Sequence, residues 1–266
     1  QRLTTLHDFL DNKFRLNSLK ILKDFNNKKF DDLEDRYKSK FKRFQLSMVI
    51  IEPPTPSQVK YDIFNRVNKG GTILNNQEMR NALYHGRSTD LLSELTTSEL
   101  FNNAISNGVS SKRMKDQYIV LRFIAFYLLY THIFVYDYTG DINYFLDNVM
   151  EYLNKKADDK IINQLKDIFY YAMKTACLFP DKDCFRYKPK TNQSRRINMI
   201  LFETISFIFA SKFNTNFNIE ILIKKINDLK EKLDQDIKLK NNVDTSSITD
   251  YRFINIKDNF WRNFEC

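Results

Sequence analysis

The run IVLRFIAFYLLYTHIFVY, Ile119 to Tyr136, is the most apolar stretch of the chain, and its reading decides the fold. It approaches the length of a membrane span, but Arg122 and His132 stand inside it, and such groups are expensive in a bilayer. A helix enclosed by other helices explains the same letters, since soluble cores also contain helices that are apolar nearly all round. Only 5 Gly and 5 Pro occur in 266 residues. That scarcity favours long helices over many short strands, which need a turn every 8–12 residues or so. With 42% hydrophobic and 28% charged residues, the composition is that of a folded globular chain, neither disordered nor a disulfide scaffold.

Outward from this run, periodicity predicts helices over Ser98–Asn107, Ser111–Tyr136, Asp141–Lys155, Asp159–Leu178, Ser194–Phe213, Ile219–Lys240 and Ser246–Phe264. The sixth is the clearest, with Leu222, Ile226, Leu229, Leu233 and Ile237 on one stripe. Nearer the start, Leu3, Leu6, Leu10, Phe14, Ile21 and Phe25 predict a helix from Thr5 to Phe25. The apolar run Met48 to Ile51, closed by Pro53, Pro54 and Pro56, predicts a strand over Arg43–Glu52. A lone strand needs partners, which are expected upstream of Gln1, because the chain opens without Met or a signal-like segment and reads as an internal part of a longer polypeptide.

Between these lies FNRVNKGGTILNNQEMRNA, Phe64 to Ala82. A helix carrying Val59, Ile63, Phe64 and Val67 stops at Gly70 and Gly71, and a second begins at Asn75. Glu78, three residues on, completes a capping box with Asn75. In that second helix Met79, Ala82 and Leu83 are expected to face inward, and Gln77, Arg80, Asn81 and Tyr84 outward. Free backbone N–H groups at such a corner can cradle an anion, although a plain interhelix turn uses the same letters.

The formal net charge is +9, and part of it is concentrated between Phe179 and Asn198. There Lys182, Arg186, Lys188, Lys190, Arg195 and Arg196 outnumber Asp181 and Asp183. With Phe185 and Tyr187 interleaved, the loop has the composition of a nucleic-acid contact and equally of a solvated surface. Cys177, Cys184 and Cys266 form no CxxC pair and predict free thiols. His7, His85 and His132 lie far apart, so no metal site is expected. No Walker loop, GxSxG or dinucleotide fingerprint is present.

Four segments, in order, carry a family resemblance. QRLTTL, Gln1 to Leu6, resembles the tail of the DGQQRLTTL motif of the GmrSD-type restriction family, whose N-terminal domain is ParB/sulfiredoxin-like. IFNRVNKGGTILNNQEMRNALYHG, Ile63 to Gly86, is similar to that family's IFxRINxGGxxLxxQELRNAxxxG block. RMKDQYIVLRFIAF, Arg113 to Phe126, resembles its D-x-x-x-V-L-R-F block, and Phe185-Arg186 with RRINMILFETIS, Arg195 to Ser206, its FR…R-x-N-x-x-LFEA element.

The resemblance implies a mainly α chain: the C-terminal part of a ParB-like α+β domain over 1–97, retaining one strand, followed by a multi-helix domain over 98–266. It implies a prokaryotic phage-defence protein of modification-dependent restriction type. Such a protein binds and hydrolyses nucleoside triphosphate, with Mg2+ in attendance, and couples this to DNA sensing or cleavage. Cleavage would come from an HNH nuclease domain or partner subunit, and the protein would be cytoplasmic with no membrane association. Gln1 and Arg2 match the last two positions of DGQQR, so the motif is incomplete in this chain. Carried over by position, Gln1, Arg2, Arg66 and Arg80 are the implied catalytic residues, lying close to one site with Asn68, Gly70, Gly71, Glu78 and Asn81 as nucleotide-binding residues. Arg186, Lys188, Lys190, Arg195 and Arg196 are the candidate DNA contacts. The alternative is a non-catalytic helical module that binds DNA or protein.

Overall fold

A computed structural model describes residues 2–47, 50–52, 55, 59, 62–63, 66, 74–180, 183–187, 196–215, 217–240 and 242–262. The chain divides into two compact units, Gln1–Thr55 and Pro56–Cys266. Both are helical, and no strand occurs among the described residues.

In the first unit, α1 (Arg2–Leu10) is followed by a 3-10 turn at Lys23–Phe25 and by α2 (Asp35–Lys42). The predicted helix Thr5–Phe25 thus stops after Leu10. Asn12 takes a left-handed conformation, φ 57°, which Asn tolerates better than most residues. Its side chain fixes the break: Nδ2 donates to Asp31 Oδ2 (2.7 Å) and Oδ1 accepts from the Asp31 N–H (2.9 Å). Of the apolar residues assigned to a helical stripe, Leu3, Leu6 and Ile21 are exposed, whereas Leu10, Phe14 and Phe25 pack onto a small cluster. Phe9, Phe30 and Leu33 are buried, with Phe14, Phe25, Tyr37 and Phe41 packed around them. The predicted strand over Arg43–Glu52 is absent from its described part, where Phe44–Ser47 and Ile50–Glu52 carry no regular structure; Met48 and Val49 lie outside the described residues. An extended segment without a ladder partner leaves its backbone groups to solvent and gains nothing from being a strand.

In the second unit, Val59, Asp62, Ile63 and Arg66 are helical. The chain then runs through α3 (Asn76–Leu83), α4 (Arg87–Thr97), α5 (Glu99–Ile105), α6 (Lys115–Tyr130), α7 (Ile142–Lys155), α8 (Asp159–Ala176), α9 (Met199–Ala210) and α10 (Ile219–Gln235). It closes with α11 (Ser246–Asp250), a π-helical turn at Tyr251–Ile256, and α12 (Lys257–Arg262). The central pair is α6 and α9, packed on each other, with α4 and α7 against α6 and α8 against α9. Every residue from Ile119 to Leu128 and from Leu201 to Ala210 is buried, as expected of helices without a polar face. The helix predicted to Tyr136 ends at Tyr130. His132 turns left-handed, φ 58°, and the Phe134 N–H donates back to Leu128 O (3.0 Å). Phe134 and Tyr136 then fold onto Tyr152 and Phe145, at 4.8 and 5.1 Å between ring centres.

Side-chain caps set several helix starts: Asn75 for α3, Ser98 for α5, Asp141 for α7, Asp158 for α8, Asn198 for α9 and Asn218 for α10. The helix predicted from Ser194 begins instead at Met199 behind Asn198, and that predicted to Lys240 breaks after Gln235. The last predicted helix, Ser246–Phe264, is interrupted by the π turn, which stacks Phe253 on Phe126 (4.7 Å) and Tyr130 (5.0 Å). No helix among the described residues is long and apolar enough to cross a membrane.

Candidate functional site

The second block of the resemblance builds a polar corner at the start of α3. Asn75 Oδ1 accepts the N–H groups of Gln77 and Glu78 (both 2.9 Å), and Glu78 Oε2 accepts the Asn75 N–H (2.7 Å). The predicted capping box therefore forms. The same carboxylate takes Arg113 at 3.1 Å, and Asn75 Nδ2 donates to the Arg113 carbonyl (2.8 Å). Arg113 and Met114 are both left-handed, φ 60° and 56°. Two consecutive non-glycine residues in that region store strain of order 1–3 kcal/mol each, a condition that recurs at ligand sites.

Gln77 and Arg80 are buried rather than outward-facing, and Ala82 is exposed. The sequence places Gln77 and Arg80 on the polar side of α3, but α7 covers that side with polar groups of its own. Arg80, 1% exposed, donates through Nε to Asp147 Oδ1 (2.7 Å) and through Nη2 to Asn143 Oδ1 (2.7 Å). Burial raises the Asp147 carboxyl above its ordinary range, against the opposing pull of Arg80. Gln77, 3% exposed, donates through Nε2 to Asn81 Oδ1 (2.9 Å), and Asn81 donates onward to Gln117. Among the described residues, Gln77 Oε1 and Arg80 Nη1 find no hydrogen-bond partner.

A cavity of about 320 Å³ opens at this corner, between the start of α3, the start of α6 and α7. Asn75, Gln77, Arg113, Met114, Lys115, Tyr118 and Asn143 are among the residues lining it. Behind it, the Tyr118 hydroxyl accepts from Arg122 Nη1 (3.2 Å). Arg122 belongs to a network with no solvent exposure at its centre. Its Nε and the Nη2 of Arg252 both donate to Glu203, Arg122 Nη2 donates to Asp244 Oδ1, and Arg252 Nε donates to Thr204 Oγ1 (3.2 Å). Burial alone would raise the Glu203 carboxyl, but the two guanidiniums outweigh it and hold it below the usual carboxylate range. The VLRF and LFE segments of the third and fourth blocks thus meet through Arg122 and Glu203.

The remaining sequence-derived candidates are distributed as follows. Arg2 begins α1 in the first unit; Arg66 is helical and exposed, and Arg80, Glu78 and Asn81 sit as described, all in the second. Gln1, Asn68, Gly70 and Gly71 lie outside the described residues, as do Lys188, Lys190 and Arg195. Arg196 is exposed. Arg186 is half-buried and its Nη2 donates to Ile105 O (2.9 Å). Its neighbours Cys184 and Phe185 are fully buried, and Lys230, itself 1% exposed, ties this turn down through the Asp183 carbonyl (2.9 Å). Reading the sequence alone passed over Gln77, Lys115, Tyr118 and Asn143 as a set, since they come from three separate helices. In the first unit His7, Asp8 and Asp11 gather their ligand atoms, but the Lys13 ammonium already sits against Asp8 (2.7 Å) and Asp11 (3.3 Å).

Residues 1–85 match the family model described as the GmrSD restriction endonuclease, N-terminal domain. This agrees with the resemblance carried by QRLTTL and by the block from Ile63, and it extends past the first compact unit into α3. No curated protein and no solved structure matches the chain.

Proposed function

We propose that this chain, whose N-terminal stretch is of the GmrSD restriction type, is part of a prokaryotic defence protein that binds and hydrolyses nucleoside triphosphate and couples turnover to DNA sensing or cleavage. The observation that carries the reading is the family match over residues 1–85, which contains both the QRLTTL segment and the second block. The polar, cationic corner that this block builds in the second unit is compatible with an anionic ligand.

Arginine suits such a reaction because its planar fork binds phosphate oxygens in pairs and offsets charge that develops during phosphoryl transfer. Arg2, at the start of α1 in the first unit, is the arginine we assign to that work. Arg80, engaged by Asp147 and Asn143, holds α3 against α7 and acts on the ligand through position rather than contact. Mg2+ would neutralise phosphate charge when bound with the nucleotide. DNA is the proposed partner, with nuclease action supplied by an HNH domain or subunit.

The test is phosphate release by the protein, with and without DNA, for wild type and Arg2→Ala. Loss of turnover of 100-fold or so in the variant supports the assignment, by the scale of removing one charge-stabilising donor. Unchanged turnover removes Arg2 from the mechanism, and absence of turnover under every DNA condition removes the hydrolytic reading.

A further inference from the structure

Two stretches of the second unit meet at Gly108. Helix α5 ends at Ile105, and Ser106 and Asn107 turn left-handed, φ 50° and 52°, which carries the chain off the helix at once. From the turn after α8, Arg186 crosses this end and donates through Nη2 to Ile105 O (2.9 Å). The other side of that turn is close as well, since a methyl group placed on Gly108 would stand 3.0 Å from Ile197 Cγ1. The Asn198 N–H donates to Phe185 O (2.9 Å), so residues 183–187 and 196–198 are held side by side. Together with 106–115 they share one surface.

That surface is cationic. Residues 106–115 carry Lys112, Arg113 and Lys115 and no acid, and the neighbouring turn adds Arg186 and Arg196 against Asp183, whose carboxylate faces Lys230 (3.2 Å). Arg113 is engaged by Glu78, and Arg186 by the end of α5. Lys112, Lys115 and Arg196 are exposed and form no ion pair among the described residues. Lys112 stands four residues from Gly108, so its Cα lies within about 14 Å of it. The Met114 N–H donates to Ser111 O (3.0 Å), and this tight turn keeps Lys115 near Lys112. A major groove is about 12 Å wide, so cations on such a span can meet phosphates on both of its edges. Among the described residues, none of these stretches exposes a large apolar side chain. A membrane-lying surface needs apolar insertion, and a protein interface needs buried anchors. A surface with charge alone suits a phosphate backbone, where most protein–DNA hydrogen bonds fall.

We infer that these stretches form one phosphate-binding surface for duplex DNA, with Lys112, Lys115 and Arg196 on the backbone phosphates and Arg186 joining the two sides. This rests on the DNA reading above and deepens it, adding residues from the α5–α6 connection to the turn after α8. Phosphate contacts position a duplex without reading its bases. The surface therefore holds DNA regardless of sequence, and sequence or modification is read elsewhere.

Fluorescence anisotropy of the protein with short labelled duplexes of two unrelated sequences tests it, from roughly 50 to 200 mM salt. Wild type is expected to bind both duplexes alike, with an affinity that falls linearly with salt on logarithmic axes, and to bind poly-glutamate of equal charge about ten-fold more weakly. Lys112→Ala, Lys115→Ala and Arg196→Ala are each expected to weaken both duplexes about three- to ten-fold and to lower the salt slope by about one. All three side chains are exposed, and thermal melts check that the variants fold. Lys160→Ala is the control, at the start of α8, a helix of 18 residues about 27 Å long whose other end leads into the turn. It is expected to change nothing. Weakening by Lys160→Ala as large as the others, equal affinity for poly-glutamate, or a strong preference between the duplexes overturns the inference. Salt-sensitive binding unmoved by the three variants removes only this surface and leaves DNA as the partner. No binding of either duplex at the lowest salt removes the surface and the DNA reading together, while phosphate release decides hydrolysis separately.

Discussion

Arg122 and Glu203 stand 81 positions apart in the chain and pair with no solvent exposure on either side chain, α6 to α9. Arg252 reaches the same carboxylate from the π turn, and Asp244 closes the far side of Arg122. Two guanidiniums against two carboxylates leave the centre electrically balanced. A buried charge survives only when paired and hydrogen-bonded, so each member depends on the others. Removing the carboxylate alone by Glu203→Gln leaves two arginines facing each other. The expected loss is about 3–5 kcal/mol of unfolding free energy, read from urea melts of the complete chain. A loss below about 1 kcal/mol would show that the network is dispensable.

The same carboxylate sets an acid limit. Burial raises Glu203, the arginines lower it by more, and the net is a folded value below the ordinary 4.5. Between that ordinary value and the lower folded one, the unfolded chain holds a proton that the folded chain does not. Its contribution is therefore present above pH 4.5 and is lost as pH falls through the folded value. Urea midpoints from pH 7 down to pH 3 should fall more steeply for wild type than for Glu203→Gln. Parallel acid profiles would sink this attribution.

Asn75 combines the cap of α3 with a hold on the strained Arg113 carbonyl (2.8 Å). Asn75→Ala is expected to lose about 0.5–2 kcal/mol from the cap alone. Release of Arg113 and Met114 from their left-handed geometry should add an effect on DNA affinity that the cap does not explain, because Lys112 and Lys115 flank that pair. Asn75→Gly keeps most of the cap preference while removing the amide that holds Arg113. If DNA affinity drops equally in both variants, the hold on Arg113 matters for the surface around it. If only Asn75→Ala weakens binding, the helix start matters alone.

Local signals in the sequence were strong where one segment carried the whole message. The Asn75–Glu78 box, the helix bounds near Asp141 and Asp159 and the apolar letters of α6 and α9 were all legible, because each depends on neighbours within a turn or so. The helix Arg87–Thr97 was not, because it starts from Gly86 with φ 148° and an RST segment that resembles a turn. The burial of Gln77 and Arg80 was invisible for a different reason. The partners of Arg80, Asn143 and Asp147, come from α7, more than sixty positions away, and Gln77 is tied through Asn81 to Gln117 on α6; a polar residue on a polar face gives no sign that another polar face will cover it. Arg122 was legible only as a charge that argues against a membrane span, and Glu203 gave no signal of its own, because their partnership joins residues 81 positions apart. The strand over Arg43–Glu52 failed because a strand is a property of two segments, and only one was present to read.

Gly108 follows α5 where Arg186 crosses its end. A methyl group added there meets Arg186 Nη2, the Ile105 carbonyl at 2.8 Å and Ile197 Cγ1 at 3.0 Å. The guanidinium is flexible and can withdraw, but the Ile105 carbonyl is backbone and also accepts from the Gly108 N–H (2.8 Å) and from Arg186 (2.9 Å). Gly108→Ala therefore forces a backbone shift, with an expected loss of about 1–3 kcal/mol. Adding Arg186→Ala to it should restore little, because the carbonyl overlap remains. Thermal melts of the two single variants and the double variant check this. Full recovery in the double variant would mean that the arginine, rather than the end of α5, sets the limit at this position.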